Sequence, residues 1–201
     1  MVSEIQVYLQ LGFEHIIALK GLDHILFVIA LCAIYRLKDW KTVAFLATAF
    51  TIGHSITLAL ATLSLIEFNS TLVELFIPIT IVITCMINFV YKFPKYNSEV
   101  PSKSYIRYPF ALLCGIVHGM GFSTYLKSLL LGGSNIWQPL LSFNIGLEIG
   151  QLLIVLVTLT ISTIICDGFN VKKQEWKLIL SGIVAGMGLM LITLQLFSDK
   201  K

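Results

Sequence analysis

The chain has 201 residues, of which 57% are hydrophobic and only 12% are charged. A water-soluble domain needs about a quarter charged residues to cover its surface, so this composition excludes one. The net charge of +3 is too small and too scattered for nucleic-acid binding. Because the length suits one compact bundle, we predict a single transmembrane domain over residues 1–201.

Apolar runs of about 20 residues, enough to cross a bilayer as a helix, recur along the whole chain. They predict an all-α polytopic bundle with six spans at 16–35, 42–66, 71–91, 107–130, 137–166 and 177–197. Residues 1–15 are apolar but carry Glu4, Gln6, Gln10 and Glu14, which is typical of an interfacial helix or a half-helix beside the bundle. A seventh span in this region is the alternative.

The basic residues alternate from one connection to the next. Ten of the 14 Lys and Arg residues fall in loops 36–41, 92–107 and 167–177, whereas loops 67–70 and 131–136 contain none. Lys and Arg are enriched in cytoplasmic loops of membrane proteins. We therefore expect these three loops in the cytoplasm and both termini on the other side of the membrane.

Histidines and carboxylates in the apolar runs are the candidates for function. Polar groups inside a bilayer are costly and usually face the bundle interior or a pathway. A single buried histidine is more often an interhelical hydrogen-bonding group. Four histidines with nearby carboxylates favour a shared metal or proton site, because imidazole and carboxylate bind divalent transition metals. The candidate ligands are His15, Asp23, His24, His54, His118 and Glu148.

Spacing indicates how these residues are arranged. Lys20-Gly21 separates His15 from Asp23-His24, and we predict a helix break there, because glycine permits unusual backbone conformations. Two half-helices that meet at a break direct several side chains to one point. We expect His54, His118 and Glu148 at similar depth in the membrane, with Asp23-His24 nearer the outer face. The spacing leaves open whether they form one site or two.

Four stretches carry a resemblance to the HupE/UreJ family of bacterial membrane proteins: GLDHILFVIAL, TAFTIGHSITLAL, HGMGFS and FNIGLEIGQ. The similarity runs from about His15 to Gln151. The family is named for members associated with hydrogenase and urease, which are both nickel enzymes. The resemblance implies a bacterial inner-membrane protein that handles nickel or a related divalent cation, and it implies metal-binding roles for the six candidate ligands. In such a membrane the loop charges place both termini in the periplasm.

Three functions are compatible with such a site. A nickel-type permease or uptake facilitator, which we favour, needs a site weak enough to release its ion. An intramembrane hydrolase would use the same residues to hold zinc and activate a water, but neither an HExxH nor a GxSxG motif is present. The third is a metal-stabilised scaffold. The expected partners are the bilayer, a nickel or zinc ion, and either a second copy or another membrane protein.

Overall fold

The structure is a computed structural model that describes residues 3–93, 106–130 and 136–198. Within these residues the regular elements are all helical, which confirms the predicted all-α bundle. The seven α-helices they contain are α1 Glu4–Ile17, α2 Leu22–Cys32, α3 Trp40–Thr62, α4 Ser70–Val90, α5 Arg107–Leu130, α6 Trp137–Thr163 and α7 Lys173–Ser198.

The long helices agree with the predicted spans. Four segments are long and apolar enough to cross a bilayer: Leu37–Thr62, Ser70–Val90, Trp137–Gly168 and Lys173–Phe197. The bent pair α1–α2 counts as a fifth if it is one span. Helix α5 has the bounds predicted for the fourth span but is not among these apolar candidates, so four or five of the six predicted spans are found. The protein is therefore an integral membrane protein built as a helix bundle.

The first predicted span, 16–35, contains the helix break that was expected near Lys20-Gly21. The chain bends by 66° between helices α1 and α2, at a 3-10 turn over Leu19–Gly21. A Cβ atom at Gly21 would stand 2.0 Å from the carbonyl oxygen of His15, so the turn folds back too tightly for a larger residue. The predicted break is present, and α1 and α2 together pass as one bent span or a re-entrant segment.

Helices α3 and α5 lie side by side at very short distance because glycines face the partner backbone. A Cβ atom at Gly53 would stand 2.1 Å from the carbonyl oxygen of Leu112, and one at Gly115 would stand 2.0 Å from that of Phe50. Small residues at such contacts let membrane helices approach closely and gain van der Waals packing. This contact sets the position of α3 relative to α5.

Helices α1 and α6 also approach closely through glycines that face the partner backbone. A Cβ atom at Gly12 would stand 2.0 Å from the carbonyl oxygen of Phe143, and one at Gly146 would stand 1.9 Å from that of Leu9. The buried side chain of Ile16 continues the contact beside Gly150. Helix α1 is therefore fixed along α6, at the edge of the bundle, with only Gly12 and Ile16 buried.

The basic loops lie together at one end of the bundle, which we call the basic end. Arg36 forms an ion pair with Asp167 there. Arg107 lies over the ring of Tyr91, and Lys177 donates a hydrogen bond to the carbonyl of the same tyrosine. The middle of the predicted loop 92–107, at 94–105, lies outside the described residues, as does loop segment 131–135.

Candidate metal centre

Imidazole rings from four helices meet at the break of the first span. His15 in the last turn of α1, His24 in the first turn of α2 and His54 of α3 each offer a ring nitrogen, and these three nitrogens lie within 4.8 Å of one another. His118 of α5 adds a fourth ring, whose centroid lies 5.0 Å from that of His24. We call these four residues the His cluster. One group therefore contains all the histidines of the chain.

The rings of the His cluster are removed from water. His24 is 2% exposed, and His54 and His118 are 0% exposed, while His15 is half-buried. Among the described residues, no hydrogen-bond partner reaches the Nε2 atom of any of the four. Each buried polar atom without a partner costs about 1–3 kcal/mol. A cation bound between His15, His24 and His54 would give a ring nitrogen of each a partner.

Two of the rings have a defined tautomer. His118 Nδ1 lies 2.8 Å from the carbonyl oxygen of Cys114, which can only accept, so Nδ1 carries the proton. His24 Nδ1 lies 3.1 Å from Oδ1 of Asp23 and donates to it in the same way. A neutral ring protonated at Nδ1 presents a lone pair at Nε2. Ligand histidines in metal sites commonly make such a hydrogen bond to a carboxylate or carbonyl.

Aromatic rings surround the His cluster. The ring centroid of Phe122 lies 4.0 Å from that of His15, and the centroid of Phe50 lies 5.1 Å from that of His118. Phe27 packs on His118 from the α2 side at 5.4 Å. An apolar shell of this kind limits access of water and strengthens electrostatic interactions between a bound ion and its ligands.

Asp23 is expected to control the affinity of the site through His24. Asparagine at this position keeps the size of the side chain but removes its charge, so the imidazole of His24 becomes a weaker donor to a metal. We expect Asp23→Asn to weaken nickel or zinc binding about 10- to 100-fold while the protein stays folded. Competition titration against a chromogenic chelator measures this affinity.

The matched control for this prediction is Asp39→Asn. The Asp39 carboxylate accepts a hydrogen bond from the backbone of Arg36 at the basic end, remote from the His cluster. It should retain the affinity of the wild type. If Asp23→Asn binds metal as tightly as Asp39→Asn, the coupling between Asp23 and His24 is contradicted.

Glu148 belongs to a separate polar group. Its carboxylate accepts hydrogen bonds from the hydroxyls of Thr48, at 2.6 Å, and of Thr51. The Thr51 hydroxyl also lies 2.9 Å from Oε1 of Gln151. Since Thr51 precedes His54 by three residues on α3, this group lies about one helical turn, roughly 5 Å, nearer the basic end. The structure thus groups five of the six candidate ligands and sets Glu148 beside them.

A cavity of about 580 Å³ gives access to the His cluster. Its lining includes the rings of His15, His24 and His118 together with three carboxylates, Glu14, Asp23 and Glu74. We call it the vestibule. Glu74 was not among the residues predicted from the sequence. The signal was available, because Glu74, like Glu148, is a carboxylate within a predicted apolar span.

The fold and the site together define the class: an integral membrane protein with an all-α bundle and a buried centre of four histidines. The family model described as HupE / UreJ protein matches residues 1–198. The chain therefore belongs to the HupE/UreJ family, which confirms the resemblance carried by the four sequence stretches. Comparison with curated proteins and with solved structures gave no match.

Proposed function

We propose that this protein is a permease or uptake facilitator for a divalent transition metal, and that nickel is the ion favoured by its family. One observation carries the proposal: ring nitrogens of His15, His24 and His54 lie within 4.8 Å of one another beside the ring of His118. The Nε2 atoms of all four rings have no hydrogen-bond partner among the described residues. Imidazole is a good ligand for nickel, copper and zinc. The ligands we propose are His15, His24, His54 and His118.

The charge of the site favours transport over permanent binding. The four ligand groups are neutral imidazoles, and Asp23 acts through His24 in the arrangement described above. A site without a directly bound carboxylate holds a divalent cation less strongly than one that neutralises its charge. Conduction requires binding that is favourable enough to admit the ion and weak enough to release it.

The alternation of basic loops supports a direction for the path. Cytoplasmic loops carry the excess of Lys and Arg, so we place the basic end in the cytoplasm and both termini in the periplasm of a bacterial inner membrane. The ion then enters through the vestibule and binds in the His cluster. Glu148, held by Thr48 and Thr51 one turn further on, is the next ligand toward the basic end.

Nickel influx into liposomes tests this proposal. Purified wild type should carry nickel to a dye trapped inside, whereas His54→Ala should reduce influx to the level of protein-free liposomes. Ser55→Ala is the control, because its hydroxyl donates to the Thr51 carbonyl of its own helix. Influx through His54→Ala equal to that of the wild type contradicts the proposal. A wild type without influx that retains one slowly exchanging zinc favours the hydrolase instead.

A further inference from the structure

We propose that Glu74 captures the hydrated divalent cation at the mouth of the vestibule and speeds its delivery to the His cluster. The inference rests on the proposed function and deepens it, because it assigns a role to a residue outside the set of metal ligands.

Glu74 stands where two cavities meet. It lines the vestibule and also a neighbouring cavity of about 280 Å³, whose walls include Glu67 and Ser123. Gly121 is the other residue shared by the two. Since Glu74 is exposed while His24 and His118 are buried, its carboxylate meets an incoming cation before the His cluster does.

One hydrogen bond holds the side chain of Glu74 in this position, and a proline one turn later leaves its backbone carbonyl without a helical partner. Gln195 of α7 donates a hydrogen bond from Nε2 to one carboxylate oxygen, which fixes the side chain across the gap between α4 and α7. Pro78 follows four residues later in α4 and has no N–H to donate to the backbone carbonyl of Glu74. Glu74 therefore offers a positioned carboxylate and a carbonyl released from the helical hydrogen-bond pattern.

The vestibule fits a hydrated cation. A divalent ion with six waters occupies about 200 Å³, taking roughly 30 Å³ for each water, and the vestibule measures about 580 Å³. Its described lining residues include the carboxylates of Glu14, Asp23 and Glu74, and no Lys or Arg is among them. A cleft with one sign of charge concentrates the field and raises the rate of association of the opposite charge.

The depth of the vestibule separates capture from binding. Tyr125 at its rim and His118 at its floor are seven residues apart on α5, which corresponds to about 10 Å along the helix. A cation near the rim keeps its waters, and exchanges them for imidazole nitrogens only at the floor. Removing the charge of Glu74 should therefore slow association, and raise the dissociation constant only by that factor, while the four rings still bind the same number of ions.

Stopped-flow measurement of nickel association with the purified protein tests this role, using a chromogenic chelator as reporter. At an ionic strength of roughly 0.01 M, Glu74→Gln should associate about three- to tenfold more slowly than the wild type. At an ionic strength of roughly 1 M the difference between the two association rates should disappear, because the Debye length falls to about 3 Å. The number of nickel ions bound at saturation and the dissociation rate should equal those of the wild type.

Glu4→Gln is the matched control. It removes one negative charge from an exposed residue of the first turn of α1, which does not line the described cavities, and it should associate like the wild type. Equal rates for Glu74→Gln and Glu4→Gln overturn the proposal for Glu74 alone, as does a loss of bound nickel at saturation. A wild type that binds neither nickel nor zinc overturns the His cluster as a metal site, and the role of Glu74 with it.

Discussion

Replacing His24 with alanine should lower the affinity of the protein for nickel or zinc by about a hundredfold or more. A hundredfold loss corresponds to about 3 kcal/mol for the removed ligand, at about 1.4 kcal/mol for each factor of ten. His24 contacts each of the other three rings: its centroid lies 4.8 Å from His15, 5.7 Å from His54 and 5.0 Å from His118. Its loss should therefore open the middle of the His cluster.

Elemental analysis of the purified protein, with wild type and variant compared after incubation in nickel or zinc, checks this result. Ile25→Ala is the control, since it truncates the neighbouring, half-buried side chain on α2 and leaves the four rings in place. We expect His24→Ala to lose bound metal and Ile25→Ala to keep it. Retention of stoichiometric, tightly bound metal by His24→Ala would show that the rings do not act as one site.

Gly115→Ala should destabilise the bundle by about 1–3 kcal/mol and disturb the His cluster with it. The added methyl group would stand 2.0 Å from the carbonyl oxygen of Phe50 and 3.0 Å from the backbone nitrogen of His54. Neither atom can rotate away, because both belong to the backbone of α3. The two helices must separate, and His54 and His118 then move apart.

Gly182→Ala is the matched control for this second prediction. No atom lies within 4 Å of a Cβ added at Gly182 in α7, so alanine there should be neutral or stabilise the helix by up to about 1 kcal/mol. Thermal unfolding in detergent, followed by circular dichroism, measures both variants. A midpoint for Gly115→Ala as high as that for Gly182→Ala would contradict the close contact between α3 and α5.

Much of the helical architecture could be read from the sequence because it depends on local properties. A run of apolar residues identifies a span wherever that span lies in the bundle, so α3 to α7 match the predicted spans closely. The break at Leu19–Gly21 was predicted from a single glycine between His15 and Asp23-His24. Four histidines in apolar runs were likewise enough to suggest a shared polar site.

The depth and grouping of the polar residues depended on contacts between helices that spacing does not encode. Glu148 was expected at the depth of His54. Its carboxylate accepts hydrogen bonds from Thr48 and Thr51 instead, about one helical turn from His54. Glu74 attracted no attention in the sequence, because its significance arises from the cavities on either side of it.

The sequence by itself determined the class of the protein, the bounds of most helices and which residue types are available for metal binding. Only the tertiary structure decided that the four histidines form one cluster and that α1 packs along α6. The physical reason is that residue spacing defines positions around and along one helix, whereas the offset between two helices is set by their packing. Here that offset is set by contacts of Gly53 and Gly115 between α3 and α5, and of Gly12 and Gly146 between α1 and α6.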